Sequence, residues 1–468
     1  MTGRDGPNGE PRPEAESGRE SARAGLARVE AALAARGPGR MVPDRDRITA
    51  LLDLLGNPQR AYQSIHLTGT NGKTTTARMI DAVLSAFGLR VGRYTSPHLA
   101  SVTERIALDG QPAGPERFVA AYDDVAPYAD LLDGKAAESG GDPVTYFEMT
   151  TAMAFAAFAD APVDVAVVEV GLGGRWDATN VLDAPVAVIT PIALDHTSLL
   201  GGTVGEIAAE KADIVHEGAT LVTAVQPPDA AEPLLRRAGE VGATVAREGM
   251  EFGVLGRSVA VGGQMLTLQG LAGRYDEILL PLHGAYQAQN AAVALAAVEA
   301  FLGGGRDRQI DPEAVREGFA RVTSPGRLER VRTSPTVLLD AAHNPAAMVA
   351  TVEALGEAFG LGRLVVVLAV LDDKDVKGML DVLEPVADAV VLTQNTSPRR
   401  LDVDALAALA VEVFGADRVD VRPRMDDALD AAVTLAEEDA ADSPLGVTGV
   451  LVTGSVVTVA DARTLLRG

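Results

Sequence analysis

At 468 residues the chain is long enough for two or three domains, each with its own core. Its formal net charge of −24 argues against a general binder of nucleic acid or of membrane surface, since both are anionic. Cysteine is absent, which excludes disulfides and thiolate chemistry. There is no apolar run of about 18 residues and no apolar leader, so neither a membrane span nor a signal peptide is expected, and the expected compartment is the cytoplasm.

Residues 1–40 are rich in Gly, Pro, Glu, Arg and Ser, which predicts a disordered extension. Within it, 21–36 could form a loose Ala-rich helix, and the ordered protein is expected to begin near Met41. Asp46-Arg47-Ile48 then leads into Leu51, Leu52 and Leu55 at helical spacing, ended by Gly56-Asn57-Pro58. A short apolar run over 62–67 precedes Thr68-Gly69-Thr70-Asn71-Gly72-Lys73-Thr74-Thr75-Thr76, and 75–87 reads as a helix stopped by Gly88. Strand, glycine-rich turn, Gly-Lys-Thr and helix is the context in which backbone N–H groups wrap a triphosphate. The helix start adds its partly positive end. Gly69, Thr70, Asn71, Gly72, Lys73, Thr74 and Thr75 are therefore the candidate cradle, with Lys73 on the outer phosphates and the Thr74 hydroxyl toward magnesium. Leu67 stands where the usual longer spacing has glycine, so the loop is the shorter G-x-x-G-K-T.

A second strand over 89–94 runs into Thr95-Ser96-Pro97-His98-Leu99. A hydroxyl at such a strand end is where an open parallel sheet presents ligand groups, although the tripeptide also suits a simple turn. Arg105 either steers an anion or joins a surface ion pair. Residues 134–143 read as a loop, after which Thr145-Tyr146-Phe147-Glu148 opens an apolar helix through Phe158. In the first turn of that helix the charge of Glu148 is favoured. The apolar strand over 163–170 carries Glu169, whose buried carboxylate calls for a cation partner. Gly171-Leu172-Gly173-Gly174-Arg175 follows as a turn that lets backbone approach a ligand, continued by the lone Trp176, Asp177, Thr179 and Asn180.

Another buried strand over 186–190 leads to Leu194-Asp195-His196, where the histidine is either a metal ligand or a hydrogen-bonded structural residue. A helix over 206–215 carries Glu210-Lys211. Past Val222 come shorter strands at 258–261 and 264–268, and then His283 through Asn290 enters an Ala-rich helix ending near Phe301. The stretch 324–329 reads as a linker. Beyond it a strand ends in Asp340, Pro345 starts a helix, and further strands lie at 363–370, 389–393 and 450–453. That alternation predicts a smaller α/β domain with a mostly parallel sheet.

Nine short stretches follow one another in a set order: 69–74, Ser96-Pro97-His98-Leu99, Tyr146-Phe147-Glu148, 169–175, Leu194-Asp195-His196, Glu210-Lys211-Ala212, Tyr286-Gln287 through Asn290, Pro325-Gly326-Arg327, and 340–345. In that order they resemble the folylpolyglutamate synthase/dihydrofolate synthase family of the Mur ligase superfamily, from about residue 41 to the C-terminus. The resemblance implies an α/β protein with a P-loop ATPase domain at 41–324 and a smaller Rossmann-like ligase domain at 325–468. The active site is then expected in the cleft between them. The implied chemistry is ATP-dependent: an acceptor carboxylate takes the γ-phosphoryl group, and the amine of L-glutamate displaces phosphate from the acyl phosphate. The implied acceptor is tetrahydrofolate, dihydropteroate or both.

By the same resemblance Ser96, Glu169 and His196 are magnesium ligands, two magnesium ions are expected, and Lys211 is carbamylated. Lys73, Lys211 and His196 are the implied catalytic residues. Asn290 is expected near adenine, Arg327 on the phosphates, and Asp340 and His343 on the nucleotide from the second domain. Phe147, Glu148, Trp176, Asp177 and Ala178 match the pteroate site, and Trp176 stands where a smaller apolar residue is common. An ordinary core role for Phe147 and Trp176 is the competing reading. Relatives imply a monomer acting on small molecules, with no nucleic-acid or membrane partner. Two alternatives remain: another Mur-type ligase such as a muramyl-peptide synthetase, and a nucleotide-binding switch without ligation. The Gly-Leu-Gly-Gly-Arg and Ser-Pro-His-Leu stretches favour folate, and the joint presence of Lys73, Glu169, His196 and Lys211 speaks for an active enzyme.

Overall fold

A computed structural model describes residues 13–37, 42–303, 308–438 and 447–467. The chain forms two compact units that interleave along the sequence: one takes residues up to His66 and Leu89–Ala184, the other Leu67–Gly88 and Pro185–Gly468. The strand Gln63–Thr68 passes from the first to the second.

In the first unit Val91–Tyr94 runs parallel to Val165–Glu169 and antiparallel to Ile106–Leu108. Both longer strands are buried along their whole length, as expected for the middle of a sheet covered by helices. The helix Tyr146–Asp160 supplies much of the core through Met149, Met153, Phe155 and Phe158. It starts on a capping box in which the Thr145 hydroxyl accepts from Glu148 N–H and the Glu148 carboxylate accepts from Thr145 N–H. Its packing sets the sheet sequence too: a Cβ at Gly92 would lie 2.6 Å from the Phe158 ring.

Two expectations are corrected here. The extension expected to be disordered over 1–40 contains a helix, Pro13–Ala35, while residues 1–12 and 38–41 lie outside the described residues. Val29 and Leu33, four residues apart, are buried, and Arg28 and Arg36 reach Asp123 and Asp133 at 2.8 Å. The helix suggested over 21–36 is thus present and starts earlier; composition did not show that it packs, because its apolar stripe is narrow and its polar partners lie about a hundred residues away. The loop expected over 134–143 is also shorter, because the helix Pro115–Ser139 continues through the helix-favouring Lys135 to Glu138 and stops at Gly140, φ 73°.

In the second unit Val186–Ile189, Thr220–Thr223 and Thr244–Arg247 are parallel neighbours, and Thr190 N–H donates to Thr68 O at 2.9 Å. The helix Lys73–Ala86 packs on Ala285–Phe301 and Pro312–Ala320. The strands Gly253–Ala260, Gly263–Gln269 and Arg274–Leu280 form a separate antiparallel sheet. It is tied to the helix Ala285–Phe301 by the fully buried Glu299, which accepts from Tyr275 Oη at 2.7 Å. From Glu329 onward a sheet runs in the order Glu329–Thr333, Thr336–Leu339, Val447–Thr453, Leu361–Leu368, Ala389–Leu392, Val419–Val421. Only its first pair is antiparallel, so the mostly parallel α/β arrangement expected after the linker is present.

Candidate active site

The phosphate loop is built by packing. Gly69 has φ 150°, and a Cβ there would lie 1.9 Å from Thr190 Oγ1. Gly72 has φ 89°, and a Cβ there would meet Asn290 Oδ1 at 2.6 Å. Neither space admits a side chain. Thr70 N–H and Asn71 N–H donate to Pro191 O at 2.9 and 3.3 Å, and Thr70 Oγ1 bonds both the N–H and the carbonyl of Ala193. The helix Lys73–Ala86 starts directly after Gly72, so its first N–H groups adjoin the loop.

Two ammonium groups converge on one carbonyl of this loop. Lys73 Nζ donates to Gly69 O at 3.1 Å and Thr70 O at 3.2 Å, and Lys211 Nζ donates to Gly69 O at 2.8 Å. Lys211, near the end of the helix Val204–Ala212, is only 3% exposed. The Thr75 hydroxyl, expected at the nucleotide, is buried and bonded to Ser324 Oγ at 2.9 Å. Asn290, expected near adenine, lies against Gly72 and donates to Gln287 Oε1 at 3.0 Å. Asp340 accepts from Leu328 N–H, Ala342 N–H and Thr351 Oγ1 at 2.9, 2.9 and 3.0 Å, so it braces the 326–342 backbone. Burial pushes its carboxyl up, and the neighbouring Arg327 guanidinium opposes that rise.

Around His196 the same unit gathers a polar cluster. His196 has φ 50°, an uncommon backbone for a residue other than glycine, and its N–H donates to Asp195 Oδ1 at 2.8 Å. Lys374 Nζ donates to Asp195 Oδ1 at 2.6 Å and to His196 Nε2 at 3.4 Å. His343 Nε2 lies 3.4 Å from Asp195 Oδ2. Burial works against the charge of Asp195, yet His343, His196 and Lys374 together bring its carboxyl well below the usual range. Burial, aided by Lys374, lowers His196 to about 4. Asn344 caps the helix Pro345–Ala358 and exchanges two amide hydrogen bonds with Asn71 of the phosphate loop. Lys374 lies outside the stretches singled out from the sequence, and Asp195 and Asn344 stand inside them without an assigned role. A lysine among Asp372, Asp373 and Asp375, just past a buried strand, was the signal available for the first.

The first unit holds the remaining residues. Glu169 is 1% exposed at the end of its strand, and its Oε2 accepts from Ser96 N–H at 3.2 Å. Nearby, Arg105 Nε donates to His98 Nδ1 at 3.0 Å while its guanidinium lies 5.1 Å from the Tyr146 ring centroid. Burial and that guanidinium hold His98 down at about 4. Arg105 therefore joins a local aromatic and histidine contact, not a surface ion pair. Of the five acceptor-site candidates, four are occupied by the fold. Glu148 caps its helix and pairs with Arg47 at 2.9 Å. Asp177, raised by burial, accepts from Leu172 N–H and Thr179 N–H and so closes its own turn. Phe147 covers Gly171, where a Cβ would lie 2.4 Å from the ring tip, and Ala178 is buried. Trp176 alone stands out, 49% exposed.

Among the described residues no three His, Asp or Glu side chains converge to hold an ion by themselves. The hydroxyl and carboxylate of Ser96 and Glu169 nevertheless suit magnesium, which commonly takes one or two protein oxygens and completes its shell with water and phosphate.

Comparison with known proteins adds the family. Residues 326–456 match the model of the Mur ligase glutamate ligase domain. The chain is 55% identical over 457 residues to the dihydrofolate synthase/folylpolyglutamate synthase of Mycobacterium tuberculosis (strain ATCC 25618 / H37Rv), covering 94% of each chain. It superposes on Mycobacterium tuberculosis folylpolyglutamate synthase complexed with ADP with a TM-score of 0.91 at 54% identity, over 95% of this chain and 99% of that one. A folylpolyglutamate synthase solved with AMPPCP and folate matches with a TM-score of 0.80 at 32% identity, over 95% of this chain and all of that one, 100%.

Proposed function

This chain belongs to the dihydrofolate synthase/folylpolyglutamate synthase family of Mur-type ligases, and from that premise we propose that it joins L-glutamate to a folate-type acceptor at the expense of ATP. The supporting observation is the phosphate loop: two glycine positions closed to side chains, a helix start, and the Lys73 ammonium on the Gly69 and Thr70 carbonyls. We take 41–324 as the ATPase domain and 325–468 as the ligase domain, the latter in keeping with the family match over 326–456.

The reaction must bring a carboxylate to a triphosphate, and both are anionic. The helix start and the loop N–H groups not bonded to Pro191 bind the phosphates, and Lys73 exchanges its loop carbonyls for phosphate oxygens. Ser96, Glu169 and His196 are the residues that would hold magnesium, which when bound would neutralise phosphate charge. The acceptor carboxylate oxygen bonds to the γ-phosphorus as the bond to the ADP oxygen breaks. The glutamate nitrogen then bonds to the acyl carbon, phosphate leaves with the C–O electron pair, and the nitrogen gives up a proton. Arg327 and His343 contact the nucleotide from the C-terminal domain, and Asn290 fixes the loop at Gly72.

Lys211 is carbamylated in the active protein: its neutral amine adds to the carbon of CO₂ and releases one proton. The product is an anion that suits a second magnesium, where the ammonium would repel it. Incubation with ¹³C-bicarbonate should give a carbamate signal that Lys211→Ala abolishes. The protein acts as a cytoplasmic monomer on small molecules; among the described residues no helix is long and apolar enough to cross a membrane. The deciding experiment is ADP release with ATP, magnesium, glutamate and, in turn, dihydropteroate, tetrahydrofolate and a muramyl peptide. Release with either of the first two is expected; release with the muramyl peptide alone would overturn the folate assignment.

A further inference from the structure

Lys374 lies in the turn Asp372-Asp373-Lys374-Asp375, beyond the strand Leu361–Leu368. Its side chain is 4% exposed, and a buried ammonium is costly without partners. The partners here are Asp195 Oδ1 at 2.6 Å and His196 Nε2 at 3.4 Å. The turn is braced from the other side, where Asp373 pairs with Arg399 at 2.8 Å and Asp372 N–H donates to Arg399 O at 2.9 Å. Asp373 Oδ2 also lies 3.8 Å from His196 Nδ1.

An ammonium only donates, so it is the lone pair of His196 Nε2 that accepts from Lys374. A divalent ion on Nε2 needs that same lone pair. Ion and ammonium also repel at such range. The two arrangements exclude each other. A polar relay joins this point to the nucleotide loop: Asn71 and Asn344 exchange amide hydrogen bonds at 3.0 and 3.2 Å, and Asn344 Nδ2 lies 3.4 Å from Asp195 Oδ2. Reordering Asn71 around a triphosphate therefore acts on the far end of the chain that anchors Lys374.

We propose that Lys374 is a positioning residue that stands in for the divalent ion, holding Asp195 and His196 in place while the nucleotide site is empty and leaving His196 when the ion binds. The inference rests on His196 being an ion ligand.

Calorimetric titration of the full protein with AMPPCP at a series of magnesium concentrations tests it. In Lys374→Met the magnesium concentration for half-maximal nucleotide binding should fall about fivefold or more. Lys374→Arg, which keeps a cation there, should stay within about twofold of the unaltered protein. An unchanged or raised magnesium requirement in Lys374→Met overturns the proposal, because a merely structural lysine has no competition to relieve. If that variant does not fold, crystals of the unaltered protein soaked with magnesium and AMPPCP decide. An ion on His196 Nε2 with Lys374 Nζ drawn out of hydrogen-bond reach supports the exchange. An ion on His196 with Lys374 still at its present distance overturns the exchange and leaves the ligand role of His196 intact. An ion that does not touch His196 overturns both.

Discussion

The turns at 69–75 and 171–176 look alike in sequence, each a glycine-rich stretch at the end of a buried strand, yet the structure makes them for different reasons. At Gly69 and Gly72 the backbone itself is in a glycine region, and the atoms in the way belong to the buried Thr190 and Asn290. At Gly171 the obstacle is the tip of the Phe147 ring, a side chain and not backbone, and the positive φ of that turn, 69°, falls two residues on at Gly173. In the phosphate loop Thr70 N–H, Asn71 N–H and Lys73 Nζ are bonded within the fold, and the packed glycines set its shape. The second turn is clamped by Asp177 but leaves the large Trp176 ring half in solvent. A finished loop suits a ligand of fixed shape such as a triphosphate; an exposed ring suits one that supplies the missing apolar cover.

That contrast can be broken at several points. Lys73→Ala should lower kcat by about a thousandfold or more while circular dichroism shows an unchanged fold. Survival of ADP formation would remove the loop lysine from phosphoryl transfer. Gly69→Ala should cost about 2–4 kcal/mol in urea unfolding, since both its backbone and its neighbours resist. Adding Thr190→Ala should recover only part, because the Thr190 carbonyl also lies 2.9 Å from the new Cβ.

Gly171→Ala should cost only about 1 kcal/mol, with Phe147→Leu restoring most of it. A cost equal to that of Gly69→Ala would erase the distinction between the two turns. Trp176→Ala should change stability by no more than about 0.5 kcal/mol and raise the KM for the acceptor. Because Trp176 is the only tryptophan, its emission in the unaltered protein should move to shorter wavelength when a dihydropteroate-type acceptor is added without ATP. A spectrum that does not move would separate this ring from the acceptor site.

Local spacing made much of the candidate site legible. The phosphate loop was readable because a turn of this kind needs its glycines, lysine and hydroxyl within a few consecutive residues. Glu169 stood out because a carboxylate among apolar residues has to be explained. The roles of Glu148 and Asp177 were less legible: both sit in motifs, but one caps its own helix and the other closes its own turn, and a motif does not say which way a carboxylate points. Of the helix Pro13–Ala35 the sequence suggested only 21–36, as a loose helix, because its stabilising contacts come from another helix far along the chain.

By itself the amino-acid order determined the strand and helix alternation, the nucleotide loop and the family, since each is written in short-range patterns of apolar residues, glycines and charges. Tertiary structure alone decided that Lys374 meets His196 across 178 residues of chain, that Asn344 meets Asn71 across 273, and that two lysines share the Gly69 carbonyl. Hydrogen bonds and ion pairs act over a few ångströms, and only the folded chain brings groups so distant in sequence to that range.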